Sequence, residues 1–273
     1  MHGRGMPLPD WSLLLRTPAF EITACLLGLV VGSFANVCVH RLPRGESVVS
    51  PPSRCPSCGA RIEARDNLPV LGWLLLRGRC RSCRAPISWR YPAVEAANGA
   101  LWLGLAAFHG PRLGTAIEMA LVTALLILSL VDLDHQLLPD VITLPGIVLG
   151  LAVSFLPQWS VRPVVAFAAA AGGWLAFAVV AKTYQKARGV EGLGQGDWKL
   201  AAMLGAFLGW QKMLLTVLLA SMAGTVVGLL AIALRGRDMR YALPLGTFLG
   251  AAGTLVVFLG DALLAWYRGL FGG

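Results

Sequence analysis

Residues 113–140 read LGTAIEMALVTALLILSLVDLDHQLLPD, an apolar stretch that ends in a group of carboxylates. The apolar part, 113–131, approaches the roughly 20 residues with which a helix crosses a bilayer. Asp132 follows it directly, at the expected membrane boundary. An acidic side chain at that depth is costly, and in membrane proteins such residues usually serve function. The stretch therefore predicts a membrane helix that ends in a functional carboxylate.

The composition of the whole chain extends this interpretation. Of 273 residues, 56% are hydrophobic and only 14% are charged, whereas soluble domains carry charge on about a quarter of their residues. The sequence predicts an all-α fold, a polytopic membrane helix bundle. Its eight predicted spans, with soft boundaries, are 17–39, 92–108, 113–131, 141–156, 163–181, 198–209, 212–234 and 242–266. The sixth is short, and a half-helix at that position requires burial by its neighbours.

The basic residues predict how the bundle is oriented. Sixteen of the 23 Lys and Arg lie in four alternate connections, at 40–91, 132–140, 182–197 and 235–241. The positive-inside rule places these connections in the cytoplasm and both termini outside. The net charge of +9 then follows from topology, so the expected partner is the lipid bilayer and no nucleic-acid partner is needed.

The chain divides by polarity into three predicted domains. Residues 1–39 form a tail and the first membrane helix, and 40–91 form a polar cytoplasmic segment. The remaining residues, 92–273, form a seven-helix membrane domain.

The polar segment contains two pairs of cysteines. Cys55-Pro56-Ser57-Cys58 is separated by 21 residues from Cys80-Arg81-Ser82-Cys83, a pattern typical of a tetrahedral four-thiolate zinc site. Four thiolates leave no open coordination position, so we interpret this Zn²⁺ as structural. A reducing cytoplasm argues against disulfides; a redox dithiol and unmetallated cysteines remain as alternatives.

A second carboxylate follows a run of glycines. Residues 191–197 read EGLGQGD, so glycines at 192, 194 and 196 precede Asp197. Such glycines let backbone and substrate approach closely. The alternative role for Asp197 is a helix N-cap. A nucleotide-cradling loop is excluded because the run has no strand–turn–helix context.

Two carboxylates brought close together cannot both ionise easily, so one keeps a proton near neutral pH. The ionised group can then take a proton from water while the protonated one polarises a peptide carbonyl. This aspartic proteolysis requires Asp132 and Asp197 to meet across facing helices. Asp134 is interpreted as a solvated or supporting carboxylate, because residues two apart point in different directions on a helix. Asp140, after Pro139, is predicted to be an N-cap.

Several segments, in the same order along the chain, together resemble the type 4 prepilin peptidases, which are bifunctional leader peptidases and N-methyltransferases. The cysteine pairs match that family's zinc-binding segment. The other similar segments are 32–43 (GSFANVCVHRLP), 87–95 (ISWRYPAVE), 132–140 (DLDHQLLPD), 194–197 (GQGD) and 244–248 (PLGTF).

The resemblance implies catalytic roles for Asp132 and Asp197, with Gly194, Gly196 and Asp134 supporting the catalytic loop. It implies cleavage of prepilins or pseudopilins after a glycine that ends a short basic leader, at the cytoplasmic face of the bacterial inner membrane. It further implies methylation of the new amino terminus with S-adenosylmethionine. Residues 63–69 (EARDNLP) resemble the segment tied to methyl transfer, which indicates Glu63, Asp66 and Asn67. Leu68 and Leu193 are mild departures from the usual isoleucine and methionine.

Two hypotheses from other classes compete with a peptidase. A transporter would use the aspartates as a proton or cation relay, and the short sixth span is typical of transport sites. However, both aspartates are predicted at one membrane face, and no inverted repeat is visible. The other alternative is a membrane-tethered zinc adaptor in which the aspartates are only helix caps.

Overall fold

A computed structural model describes residues 18–189, 193–235 and 243–271, and in these ranges it contains helices but no strands. Two single-turn 3₁₀ helices lie at Leu42–Arg44 and Ala64–Asn67. The α-helices are α1 (Pro18–Arg41), α2 (Leu71–Leu75), α3 (Arg90–His109), α4 (Leu113–His135), α5 (Asp140–Val153), α6 (Pro163–Arg188), α7 (Gln195–Arg235) and α8 (Leu245–Phe271).

The helices have the length and composition of a membrane protein. Five of them, α1, α4, α6, α7 and α8, are long and apolar enough to cross a bilayer, and α5 is apolar but shorter. The predicted class, a helical membrane protein, is confirmed. The number of crossings stays a prediction.

The predicted sixth and seventh spans form one helix with a break. Gly209, the last residue of the predicted sixth span, has φ 73° and ψ 172°, so α7 consists of an arm at 195–208 and a longer arm after it. This backbone conformation is open to glycine and strained for other residues. The residue type at one position thus explains why the sixth span is short.

Contacts divide the chain into two units. Among the described residues, the first contains 18–37 together with 49–120. In it, α1 and α3 pack closely, since a Cβ added at Gly28 would lie 2.9 Å from Cβ of Trp102. The fully buried Asn98 crosses the same interface, and its amide donates to the carbonyl of Gly28 at 2.8 Å.

The second unit contains residues 38–48 and the described residues after 120. Here α7 packs against α5, α6 and α8. Its approach to α6 depends on glycine, because a Cβ at Gly205 would lie 2.5 Å from the carbonyl oxygen of Ala169. Small residues serve this purpose between membrane helices generally. Large apolar side chains that are fully buried in this unit are Val122, Leu125, Leu128, Val131, Leu200, Met203, Leu204, Leu249 and Val256.

Some predictions lie outside the described residues. They concern the amino-terminal tail, Gly192 at the start of the glycine run, and most of the connection at 235–241. The three predicted domains, 1–39, 40–91 and 92–273, are divisions by topology and remain predictions.

Candidate active site

The end of α4 places Asp132 inside the second unit. Leu128 and Val131 are fully buried, and Asp132 continues their side of the helix with 5% exposure. Asp134, two residues further on, is exposed. The period of the helix therefore directs one carboxylate inward and the other outward.

Asp197 lies in the first turn of α7. The helix begins at Gln195, and the N–H of Asp197 donates to the carbonyl of Gly194 at 3.1 Å. Asp197 is therefore the third helical residue and not the N-cap. Its half-buried carboxyl group is close enough to Asp132 for the two to interact electrostatically.

Both aspartates line one cavity of about 700 Å³. The cavity is lined by the end of α4 and the connection from it to α5, by the start of α7, and by the turn after α1, which contributes Leu42 and Glu46. The cavity brings together residues that are 65 positions apart in the sequence, and this is the convergence that aspartic proteolysis requires.

The two glycines before Asp197 differ in what they contact. A Cβ at Gly196 would lie 2.8 Å from Cβ of Leu138, so only glycine allows this approach. A Cβ at Gly194 would lie 3.6 Å from Oδ2 of Asp197, an ordinary contact. Gly196 is therefore the more constrained of the two predicted supports.

The predicted role of Asp140 is wrong. Asp140 is the first residue of α5, the N-cap position belongs to Pro139, and no side chain caps this helix. Both carboxyl oxygens of Asp140 instead accept from Nζ of Lys199, at 2.7 and 2.8 Å. The two residues are 59 positions apart, so the local sequence could not show that Asp140 pairs with a lysine of α7 and does not cap α5.

Two residues of the site were assigned no role from the sequence. The backbone N–H of Thr247 donates to Oδ2 of Asp132 at 2.6 Å, and the hydroxyl of Thr247 lies 3.1 Å from the same oxygen. A Cβ at Gly246 would lie 2.9 Å from Cγ of Asp132. The segment PLGTF at 244–248 was visible as a motif, and its place at the start of an apolar span was the available signal.

The four cysteines of the first unit converge. Their Sγ atoms all lie within 4.8 Å of one another, and those of Cys55 and Cys83 are 3.8 Å apart. Tetrahedral zinc with bonds of about 2.3 Å requires sulfur atoms roughly 3.8 Å apart. The donor set and its spacing therefore fit Zn²⁺.

The two cysteine pairs lie in matching turns. The N–H of Cys55 donates to Ala60 and that of Cys80 to Ala85, so each first cysteine bonds to the carbonyl five residues on. Backbone N–H groups of Cys58 and Ser57 lower the pKa of the Cys55 thiol to about 6. Such turns direct both sulfur atoms of a pair toward one point.

The three residues assigned to methyl transfer lie around the 3₁₀ turn at Ala64–Asn67. Asp66 forms a two-bond ion pair with Arg81, at 2.8 and 2.5 Å, which lowers the pKa of the Asp66 carboxyl group. Glu63 pairs with Arg65 at 2.7 Å, and its carbonyl accepts from the N–H of Asn67. The Asp66 pair connects this turn to the second cysteine pair.

Comparisons with known proteins agree with a peptidase site in a membrane helix bundle. Residues 26–109 match the bacterial peptidase A24 N-terminal domain, and residues 119–229 match the type IV leader peptidase family. No solved structure matches the chain.

Curated relatives cover nearly the whole chain. A prepilin leader peptidase/N-methyltransferase of Pseudomonas putida is 41% identical over 96% of this chain and 99% of its own length. Proteins of the same name from Pseudomonas aeruginosa and Burkholderia pseudomallei (strain K96243) are 39% and 42% identical, over 96% and 87% of this chain and 98% and 84% of theirs. The chain belongs to the type IV leader peptidase family.

Proposed function

We propose that this protein is a membrane aspartic endopeptidase that removes the short basic leader of prepilins or pseudopilins after a glycine, and that it methylates the new amino terminus. The observation that carries the peptidase is the cavity in which Asp132 and Asp197 converge. The names of the full-length relatives support both activities.

The chemistry needs one proton shared by the two carboxyl groups. The ionised group takes a proton from a water molecule, whose oxygen attacks the scissile carbonyl carbon, while the protonated group gives its proton to the carbonyl oxygen. In the second step the C–N bond breaks, and the proton taken from water passes to the leaving nitrogen. The products are a carboxyl terminus on the leader and a free amine on the pilin.

The membrane setting suits such a substrate. We place eight helical spans in the bacterial inner membrane, with the polar segment and both aspartates at the cytoplasmic face, as the distribution of basic residues predicts. A substrate with a basic leader and an apolar helix after the cut presents its scissile bond at this face. Polar backbone at that depth needs protein around it, which the cavity provides.

We assign the four cysteines to one structural Zn²⁺. The fit of their spacing to tetrahedral coordination supports this assignment. When bound, the metal supplies cross-linking between the two cysteine turns, because four thiolates complete its coordination. It takes no part in peptide cleavage.

We assign methyl transfer to the polar segment, with Glu63, Asp66 and Asn67 as the residues concerned. When bound, S-adenosylmethionine would supply the methyl group: the new amine would take the methyl carbon as its bond to sulfur breaks, S-adenosylhomocysteine would leave, and the nitrogen would lose one proton to water. The pairing of Asp66 with Arg81 beside Cys80 makes this part of the enzyme dependent on the cysteine cluster.

The peptidase is tested by incubating purified protein with a prepilin and comparing wild type with Asp132→Asn and Asp197→Asn. Both substitutions keep the side-chain shape but remove acid–base capacity, so we expect cleavage to fall by at least about a thousandfold. The control is Asp261→Asn, which changes an exposed aspartate paired with Lys212. Cleavage by an inserted Asp197→Asn variant at the wild-type rate would end the aspartic mechanism.

Methyl transfer is tested separately with labelled S-adenosylmethionine and pre-cleaved pilin. Labelled product is expected from wild type and from both asparagine variants. Absence of label with the wild type would leave a peptidase only.

A further inference from the structure

The start of α8 faces the carboxyl group of Asp132. The first N–H groups of a helix have no partner within the helix and carry partial positive charge. Thr247 is the third residue of α8, and its N–H donates to Oδ2 of Asp132 at 2.6 Å. The backbone N–H of Gly246 interacts with the same carboxyl group. Asp132 therefore caps α8 from another helix, a position that favours a negative charge.

The hydroxyl of Thr247 has two neighbours that can accept its single hydrogen. Oγ1 lies 3.1 Å from Oδ2 of Asp132 and 3.0 Å from the carbonyl oxygen of Ser129. The Ser129 carbonyl can only accept. When Asp132 is ionised, the hydroxyl can donate to Oδ2. When Oδ2 carries a proton, its O–H can donate a hydrogen bond to Oγ1, and the hydroxyl of Thr247 then donates to the carbonyl of Ser129.

Close packing keeps this arrangement in register. A Cβ added at Gly250, one turn along α8, would lie 2.9 Å from the carbonyl oxygen of Leu125 and in severe overlap with Ser129. A Cβ at Gly246 would overlap Asp132 itself. The backbone of α8 thus lies close to the carboxyl group of Asp132 at one turn and to the backbone of α4 at the next, which holds Thr247 over Asp132.

We infer that Thr247 is a positioning residue that makes the two aspartates unequal. Its N–H and hydroxyl hold Oδ2 of an ionised Asp132, so Oδ1 is the oxygen that takes the proton from water. Asp197 carries the shared proton and gives it to the scissile carbonyl. This inference rests on the proposed peptidase function and assigns the base and the acid within it.

The test compares Thr247→Val, which removes the hydroxyl but keeps the shape, with Thr247→Ser, which keeps the hydroxyl. A bond to a charged group is lost only in the valine variant, so kcat for prepilin cleavage should fall about ten- to a hundredfold with KM unchanged. The acidic limb of its pH–kcat profile should move to higher pH, because the ionised base has lost a donor. Thr247→Ser should stay within about threefold of wild type.

Thr254→Val is the matched control, because the hydroxyl of Thr254 donates to the carbonyl of Gly250 within α8. It should leave kcat and the pH profile unchanged. If the Thr247→Val protein does not insert, Thr247→Ala provides the same loss of the hydroxyl.

Several results would overturn the inference while leaving the peptidase intact. These are an unchanged kcat and pH profile in the inserted valine or alanine variant, a change in KM alone, or a serine variant as impaired as the valine one. Failure of wild type itself to cleave, or full activity of Asp132→Asn, would instead reject the proposed function.

Discussion

The cavity of the two aspartates and the cysteine segment, residues 49–89 within the polar segment, keep their functional groups in place by different means. Around the cavity, buried apolar side chains and glycine-mediated helix contacts form a continuous core. Across residues 49–89 the buried positions are only Cys55, Gly72 and Gly78. A segment with so little apolar burial lacks the main driving force for folding. Packing therefore accounts for the position of the carboxyl groups, whereas we expect a metal and ion pairs to hold the cysteine segment.

The cysteine double variant Cys55→Ser/Cys80→Ser should have the largest structural effect. Structural zinc contributes on the order of 10–16 kcal/mol to small zinc domains, far more than any contact in the segment. We expect loss of about one Zn²⁺ per chain by metal analysis, rapid limited proteolysis within the segment, and loss of methyl transfer.

Prepilin cleavage should largely survive in the double variant, because the carboxyl cavity is stabilised by helix packing. Equal loss of cleavage and methyl transfer would remove the contrast between the two regions. Metal that persists in the double variant would contradict the four-cysteine site.

Gly246→Ala should disturb the helix packing around Asp132 and leave the cysteine segment unchanged. The added methyl would lie 2.9 Å from Cγ of Asp132 and 3.0 Å from Cδ1 of Leu138. Overpacking of this kind costs about 1–3 kcal/mol, and displacement of the carboxyl group should lower kcat for cleavage at least about tenfold. Methyl transfer to pre-cleaved pilin should stay normal. The control is Gly269→Ala in the same helix, where a Cβ meets open space. An equal loss of kcat in both variants would show that the effect does not come from crowding at Asp132.

Glu46→Lys probes the rim of the cavity. Glu46 is exposed beside the aspartates, and its backbone is fixed by the bond from its N–H to the carbonyl of Arg41. A basic leader should be attracted by this carboxylate. Exposed charge interactions are weak, so KM should rise about two- to tenfold with kcat unchanged. With a prepilin whose leader is acidic, the variant should instead have the lower KM of the two enzymes. If Glu46→Lys changed KM for neither leader, Glu46 would be excluded from leader binding.

Asp66→Asn should give the smallest effect on stability, confined to the cysteine segment, and it should also lower methyl transfer if Asp66 has the role assigned to it. Pairing with Arg81 lowers the pKa of Asp66 in the folded protein. Its stabilisation is therefore present above the ordinary carboxyl pKa of about 3.9 and is lost as pH falls through the lower folded value. At neutral pH the variant should be digested within the segment about two- to fivefold faster than wild type. The two proteins should converge in acid, and a difference that grows on acidification would contradict the ion pair.

Much of the fold could be predicted because membrane helices carry their signal locally. Each predicted span overlaps a helix, because a run of about 20 apolar residues can satisfy its backbone hydrogen bonds in a bilayer only by forming a helix or a closed barrel. The cysteine cluster was also readable, because two pairs with zinc-type spacing need little knowledge of the rest of the chain.

The environment of the two aspartates was less predictable. The sequence placed Asp140 at a helix start, but its ion pair with Lys199 depends on how α5 and α7 pack. Thr247 belonged to a recognisable motif, but nothing in the sequence indicated its partner, because it bonds to Asp132 across 115 positions. Contacts at such separations depend on helix packing, which hydrophobic pattern does not specify.

The amino-acid order by itself determined the class of helical membrane protein and the family resemblance, and it singled out two carboxylates and two pairs of cysteines. These properties depend on runs and spacings of a few residues. Only the tertiary structure decided that Asp132 and Asp197 share a cavity and that α8 presents its first N–H groups to Asp132. It also decided that Lys199 forms an ion pair with Asp140. The reason is physical: the partners lie on different helices, and only close packing brings their hydrogen-bonding groups within 3 Å or so of each other.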